Sequence, residues 1–157
     1  MASYISSIAN GGKKYKPYII KKVIKNDGTI INETKPSYVQ IPVKQEYINA
    51  IKEGMIAVTS SIDGTANQYF RGLPFDVAGK TGTAQTAQKN VHSDNGLFVC
   101  YAPADNPKIA IAVVVERGIW GSYTAPIARD IIDEYFGLNK ANNTNDSLKP
   151  DEPVFTQ

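Results

Sequence analysis

Apolar positions change their period along this chain, and each period predicts an element. Met1, Tyr4, Ile5, Ile8 and Ala9 recur at helical spacing, and Asn10-Gly11-Gly12 ends the run because glycine accepts a left-handed cap. A chain that begins at or inside a helix is expected to be part of a longer polypeptide. Tyr18–Ile24 and Thr29–Asn32 are β-branched runs around Lys25-Asn26-Asp27-Gly28, a hairpin signal in which Asp27 and Gly28 both tolerate positive φ. After Pro42, Lys44–Thr59 sets Tyr47, Ile48, Ile51, Met55 and Val58 on one helical face. Val77–Thr83 reads as a strand despite two glycines, and Leu97–Ala102 and Lys108–Glu116 are the strongest strand signals. Asp105-Asn106-Pro107 supplies a turn between those two. Ser122 or Thr124 is expected to cap a last helix with Pro126 in its first turn, Gly137 at its end, and Ile127, Ile131, Tyr135 and Phe136 as its buried face. The pattern predicts an α+β fold: a partial antiparallel sheet, a three-strand meander, with helices packed on one face. Residues 1–139 make the globular part, and the polar stretch 140–157 reads as a disordered tail.

Composition narrows the chemistry. A length of 157 residues is enough for one core, and 42% apolar with 20% charged residues is ordinary for a globular domain. Acids and bases are interspersed with a net charge of +2, which gives no electrostatic case for nucleic acid or a lipid surface. Ile109–Val115 is the longest apolar run, far short of the ~20 residues a membrane helix needs. Cys100 is the only cysteine, so an intramolecular disulfide and a multi-cysteine zinc site are both excluded. Its apolar neighbours predict a buried, inert thiol. His92 is the only histidine and lies in a polar loop, away from any nucleophile-elbow sequence, which argues against a Ser-His-Asp triad. No metal or other cofactor is expected.

The most informative stretch is Ala78-Gly79-Lys80-Thr81-Gly82-Thr83-Ala84-Gln85. On a strand, Thr81 and Thr83 place two hydroxyls on one face beside the Lys80 cation, a combination that suits a carboxylate. The small residues would keep one side open to a ligand backbone, and a free edge there could pair with an extended peptide. A phosphate-binding loop is excluded, because Pro74 stands where its first glycine is required and no helix follows Thr81. The tetrapeptide alone fits a glycine-rich strand edge equally well.

Its surroundings favour the ligand site. Val77-Ala78-Gly79-Lys80-Thr81-Gly82-Thr83-Ala84-Gln85, then Leu97-Phe98-Val99-Cys100-Tyr101-Ala102-Pro103, then the Ile109–Val115 run, resemble the penicillin-binding transpeptidases in order and spacing. Ile8-Ala9-Asn10-Gly11-Gly12 followed by Lys16-Pro17-Tyr18-Ile19 is similar to the monofunctional class B members, and Ala125-Pro126-Ile127-Ala128 fits the closing helix. The resemblance covers residues 1–138 and implies the C-terminal part of a serine D,D-transpeptidase domain of the β-lactamase-like fold. It implies a peptidoglycan stem peptide ending in D-Ala-D-Ala as substrate, β-lactams as acylating mimics, and a position outside the plasma membrane with an anchor beyond this chain. It further implies that Lys80 lends charge to the proton transfers, and that Lys80, Thr81, Gly82 and Thr83 bind substrate. The backbone N–H of Thr83 would be one oxyanion donor.

Two departures qualify the resemblance. No Ser-x-x-Lys occurs in the 157 residues, so the chain alone is expected to be inactive and to require the N-terminal half of the domain. Ser93-Asp94-Asn95 matches the family's middle motif literally but follows Lys80 instead of preceding it, and Tyr47-Ile48-Asn49 falls on an amphipathic helix, where Tyr47 reads as core. A non-catalytic wall-peptide or partner-binding module, or a D,D-carboxypeptidase or β-lactamase, are the other readings. Trp120 either walls a cleft or covers the end of the last helix. The Ile109–Val115 strand, apolar on both faces and without lysine or proline, is expected to leave a sticky edge through which copies of the chain associate.

Overall fold

The structure, a computed structural model, describes residues 1–85 and 94–138. The proposed tail, His92 and Ser93 lie outside the described residues. Three strands form the central sheet: β5 (Ala78–Ala84), β6 (Asn95–Ala102) and β7 (Ile109–Val115), in the order β5-β6-β7 and antiparallel throughout. The register runs from Ala78 opposite Tyr101 to Ala84 opposite Asn95, and from Gly96 opposite Val115 to Ala102 opposite Ile109. This is the predicted meander.

Helices cover both faces of this sheet, not one. Strand alternation explains why: β6 sends Phe98, Cys100 and Ala102 to one side and Val99 and Tyr101 to the other, all of them buried. The first set packs with Ile111, Val113, Phe70 and the last helix, α4 (Ala125–Phe136). The second packs under α1 (Ala2–Ala9) and α2 (Gln45–Ser60), through Ile5, Ala9 and Met55. A sheet with two apolar faces needs two covers, and the sequence supplies both.

Both helical faces differ from the periodic reading. On α2 the buried residues are Ile48, Met55 and Thr59, while Tyr47 is 54% exposed and is therefore not core. On α4 the buried residues are Ala125, Ala128, Ile132 and Asp133, whereas Ile127, Ile131 and Tyr135 face outward and only Phe136 of the expected face is partly buried. The helix has turned to bring its alanines against the sheet. Asp133 is carried inward because Arg129 holds both its oxygens at 2.8 Å while donating to the carbonyls of Tyr69 and Arg71 at 3.1 Å. Thr124, at the cap position, bonds back to Gly121 O at 2.7 Å instead of capping α4.

The predicted hairpin is present but shorter, β2 (Lys22–Ile24) with β3 (Ile30–Glu33). Its turn differs from the expected form: Gly28 alone has positive φ, +85°, and Asp27 instead accepts a bond from Thr29 N–H at 2.9 Å. Other elements escaped the sequence reading. A short ladder joins β1 (Lys13–Tyr15) to β4 (Tyr38–Gln40), and a single turn of helix, α3 (Asn67–Phe70), follows α2. No helix among the described residues is long and apolar enough to cross a membrane.

Candidate functional site

β5 is an edge strand, and the direction of its backbone groups follows from alternation. Asp76 O faces β6, where it accepts from Ala104 N–H at 2.8 Å. Val77 O points the other way and is taken by the Thr59 hydroxyl of α2, and Thr81 O is taken by Lys80 Nζ at 2.7 Å. Thr83 has the parity of Val77 and Thr81, so its N–H and C=O also point away from β6, onto the free edge.

Side chains divide in the same way. Lys80 shares its face with Ala78 and, across the ladder, Val99. It is exposed at the end of an apolar groove of about 390 Å³ lined by Tyr4, Ile8, Ile51, Met55 and Val99. Thr81 and Thr83 stand on the opposite face, in a second cleft of about 380 Å³ whose other walls are Thr65, Trp120, Gly121 and Ser122. Thr81 Oγ1 lies 3.1 Å from Thr65 Oγ1, and Thr83 Oγ1 accepts from Gly121 N–H at 3.1 Å. The structure thus brings all four sequence-predicted residues, Lys80, Thr81, Gly82 and Thr83, to one strand edge, with the cation and the hydroxyls on opposite sides of it.

One of the two glycines has a reason that differs from the expected one. A Cβ on Gly79 would lie 2.6 Å from the Phe98 ring and 3.2 Å from Thr59, so this glycine admits the core and not a ligand. Gly82 has room toward Leu97, at 3.5 Å, but its peptide is the surface on which Gly121 rests. Thr65, Gly121 and Ser122 were not legible as site residues, since no local pattern connects them to the strand. Trp120, half exposed, walls the cleft.

Other candidates separate cleanly. Asp94 O accepts from Ile119 N–H at 3.0 Å, and Asn95 Oδ1 accepts from Arg117 N–H at 3.1 Å, so this pair fastens the loop before the 3₁₀ turn Gly121–Thr124. Cys100 is fully buried, and its thiol is pushed up to about 12 by burial, which makes it inert as a nucleophile. Among the described residues no group of histidine, cysteine and carboxylate side chains converges as a metal site would.

Outward N–H groups and paired hydroxyls can hold an extended peptide by its backbone and a carboxylate by hydrogen bonds, with the ammonium on the other face of the strand. Comparison with known proteins identifies the relatives of the chain. The family model described as the penicillin-binding protein transpeptidase domain matches residues 1–133. Penicillin-binding protein 2A of Bacillus subtilis is 34% identical over 156 residues, which covers 88% of this chain and 22% of that protein. The peptidoglycan D,D-transpeptidase MrdA of Haemophilus influenzae is 29% identical over 152 residues, 86% of this chain and 23% of that one. A solved imipenem acyl-enzyme of penicillin-binding protein A from M. tuberculosis superposes with a TM-score of 0.72 at 27% identity, covering 86% of this chain and 29% of the other. The chain spans about a fifth of the length of the curated relatives it matches. On these grounds the chain belongs to the penicillin-binding protein transpeptidase domain family.

Proposed function

We propose that this chain is the substrate-strand portion of a peptidoglycan D,D-transpeptidase, acting on the outer side of the plasma membrane within a longer polypeptide that supplies the serine nucleophile. The observation that carries the reading is the free edge of β5, where the outward N–H of Thr83 sits between a cleft holding two threonine hydroxyls and the face bearing Lys80. A stem peptide lying along this edge would pair its backbone with the outward groups of Thr83. Its terminal carboxylate would then meet the hydroxyls of Thr81 and Thr83, and its penultimate carbonyl oxygen the Thr83 N–H. The serine hydroxyl adds to that carbonyl, the C–N bond to the last D-alanine breaks, and the departing amine takes up a proton. An acceptor amine from a second stem peptide then displaces the serine. Lys80 stabilises negative charge near the attacking oxygen, and β-lactams enter by the same acylation.

A fluorescent penicillin tests this in two steps. The present chain is expected to remain unlabelled, since it contains no Ser-x-x-Lys; a stoichiometric adduct on it would overturn the assignment of the nucleophile to another segment. In the longer polypeptide Lys80→Ala should slow acylation strongly, and Thr83→Val should slow it roughly ten- to a hundredfold, the value of one hydrogen bond to a charged group. An effect of Thr83→Val below about twofold removes that hydroxyl from the carboxylate site.

A further inference from the structure

The two hydroxyls of the candidate site are not aimed by the strand that carries them. Each receives one hydrogen-bond partner from a segment far away in sequence: Thr81 from Thr65, in the loop after α2, and Thr83 from Gly121, in the 3₁₀ turn before α4. We propose that Thr65 and Gly121 are positioning residues that turn the hydroxyl protons of Thr81 and Thr83 toward the carboxylate of the incoming peptide. This deepens the reading above and rests on it.

The chemistry follows from the inventory of a hydroxyl, one proton and two lone pairs. Gly121 N–H can only donate, so it occupies a lone pair of Thr83 Oγ1 and leaves the Thr83 proton for another acceptor. Thr65 and Thr81 share one hydrogen bond at 3.1 Å. When a carboxylate claims the Thr81 proton, Thr65 becomes the donor to Thr81, and the chain Thr65 to Thr81 to carboxylate polarises in one direction. The Thr83 rotor is thereby oriented before the ligand arrives, and that of Thr81 has only two settings to choose from, which lowers the ordering cost of binding.

Gly121 owes its identity to this contact. Its φ lies outside the left-handed region, so the backbone makes no demand for glycine. A Cβ at this position would lie 2.6 Å from Gly82 N and 2.7 Å from Gly82 C, and nearer still to Gly82 O. Any side chain here strikes the very peptide that joins Thr81 to Thr83. The turn is also fixed from its other side: Gly96 leaves space for Thr124 and for the Trp120 carbonyl, which a Cβ would meet at 2.9 and 3.0 Å.

The test compares acylation of the serine-bearing polypeptide by a β-lactam with a free carboxylate and by its methyl ester. Thr65→Val should lower the acid-to-ester rate ratio roughly three- to tenfold, the value of one neutral hydrogen bond, and Thr65→Ser should restore it. Gly121→Ala should lower the ratio at least as far, because it displaces the donor and disturbs Gly82. A purely structural role would slow acid and ester alike and leave the ratio where it was; that result, or an unaltered acid rate in Thr65→Val, overturns the proposal. Wild-type protein that takes acid and ester equally would instead sink the carboxylate assignment of Thr81 and Thr83 itself.

Discussion

Ile119 holds a φ of +64°, a region that costs a β-branched residue of order 1–2 kcal/mol, and its N–H bond to Asp94 O helps to keep it there. Half its surface is exposed, so little apolar burial would be lost by trimming it. The usual order of substitutions should therefore invert: Ile119→Gly is expected to be about 1 kcal/mol more stable than Ile119→Ala in urea unfolding, although glycine elsewhere is the worse of the two. Alanine matching or exceeding glycine would show that the loop relaxes readily and that Ile119 carries no strain. At this scale the sequence displayed Lys80, Thr81, Gly82 and Thr83 because they are contiguous. Thr65 and Gly121 were hidden because their roles arise only when segments 16 and 38 residues apart meet. Gly79 was visible but misread, since a glycine admitting a phenylalanine ring and one admitting a ligand look identical in a string of letters.

Among the elements, the meander was the most legible, since apolar runs of strand length separated by a turn admit few other folds. The faces of the helices were less so. Periodicity ranks residues by hydrophobicity, whereas α4 chose its face by size and charge, with Ala125 and Ala128 allowing close approach and Arg129 tying Asp133 to the carbonyls of Tyr69 and Arg71. The two faces make opposite forecasts. Ala128→Leu should destabilise by about 1–3 kcal/mol through overpacking, while Ile131→Ala should cost less than ~1 kcal/mol. Urea midpoints in the reverse order would return Ile131 to the core. The β1–β4 ladder was missed for a simpler reason, because three-residue strands carry almost no periodic signal.

At the scale of the whole molecule, the sheet has two ends with different fates. β5 is flanked by α2 and the 3₁₀ turn, but β7 closes the sheet with no strand beyond it among the described residues. Ile119 N–H bonds Asp94 O, so the even-numbered residues of β6 face β7, and Ile111, Val113 and Val115 complete that ladder. Ala110, Ala112 and Val114 then point their backbone groups outward. We expect copies of this chain to associate along that edge. Proline at Ala112 removes an outward N–H and should weaken association at least tenfold by light scattering, whereas proline at Val113 strikes the ladder to β6 and should unfold the monomer first. A monomer at tens of micromolar, with the Ala112 amide protected from exchange, would defeat the expectation. The same sheet carries its own clock. Cys100 is the sole thiol of the chain, has no exposed surface and is held in the unreactive protonated form, so a thiol reagent can reach it only when strands part. Its rate of modification therefore measures how often the sheet opens, residue-specifically and without any added label. A slower rate in the longer polypeptide would then give the stability that the rest of the protein lends to these three strands.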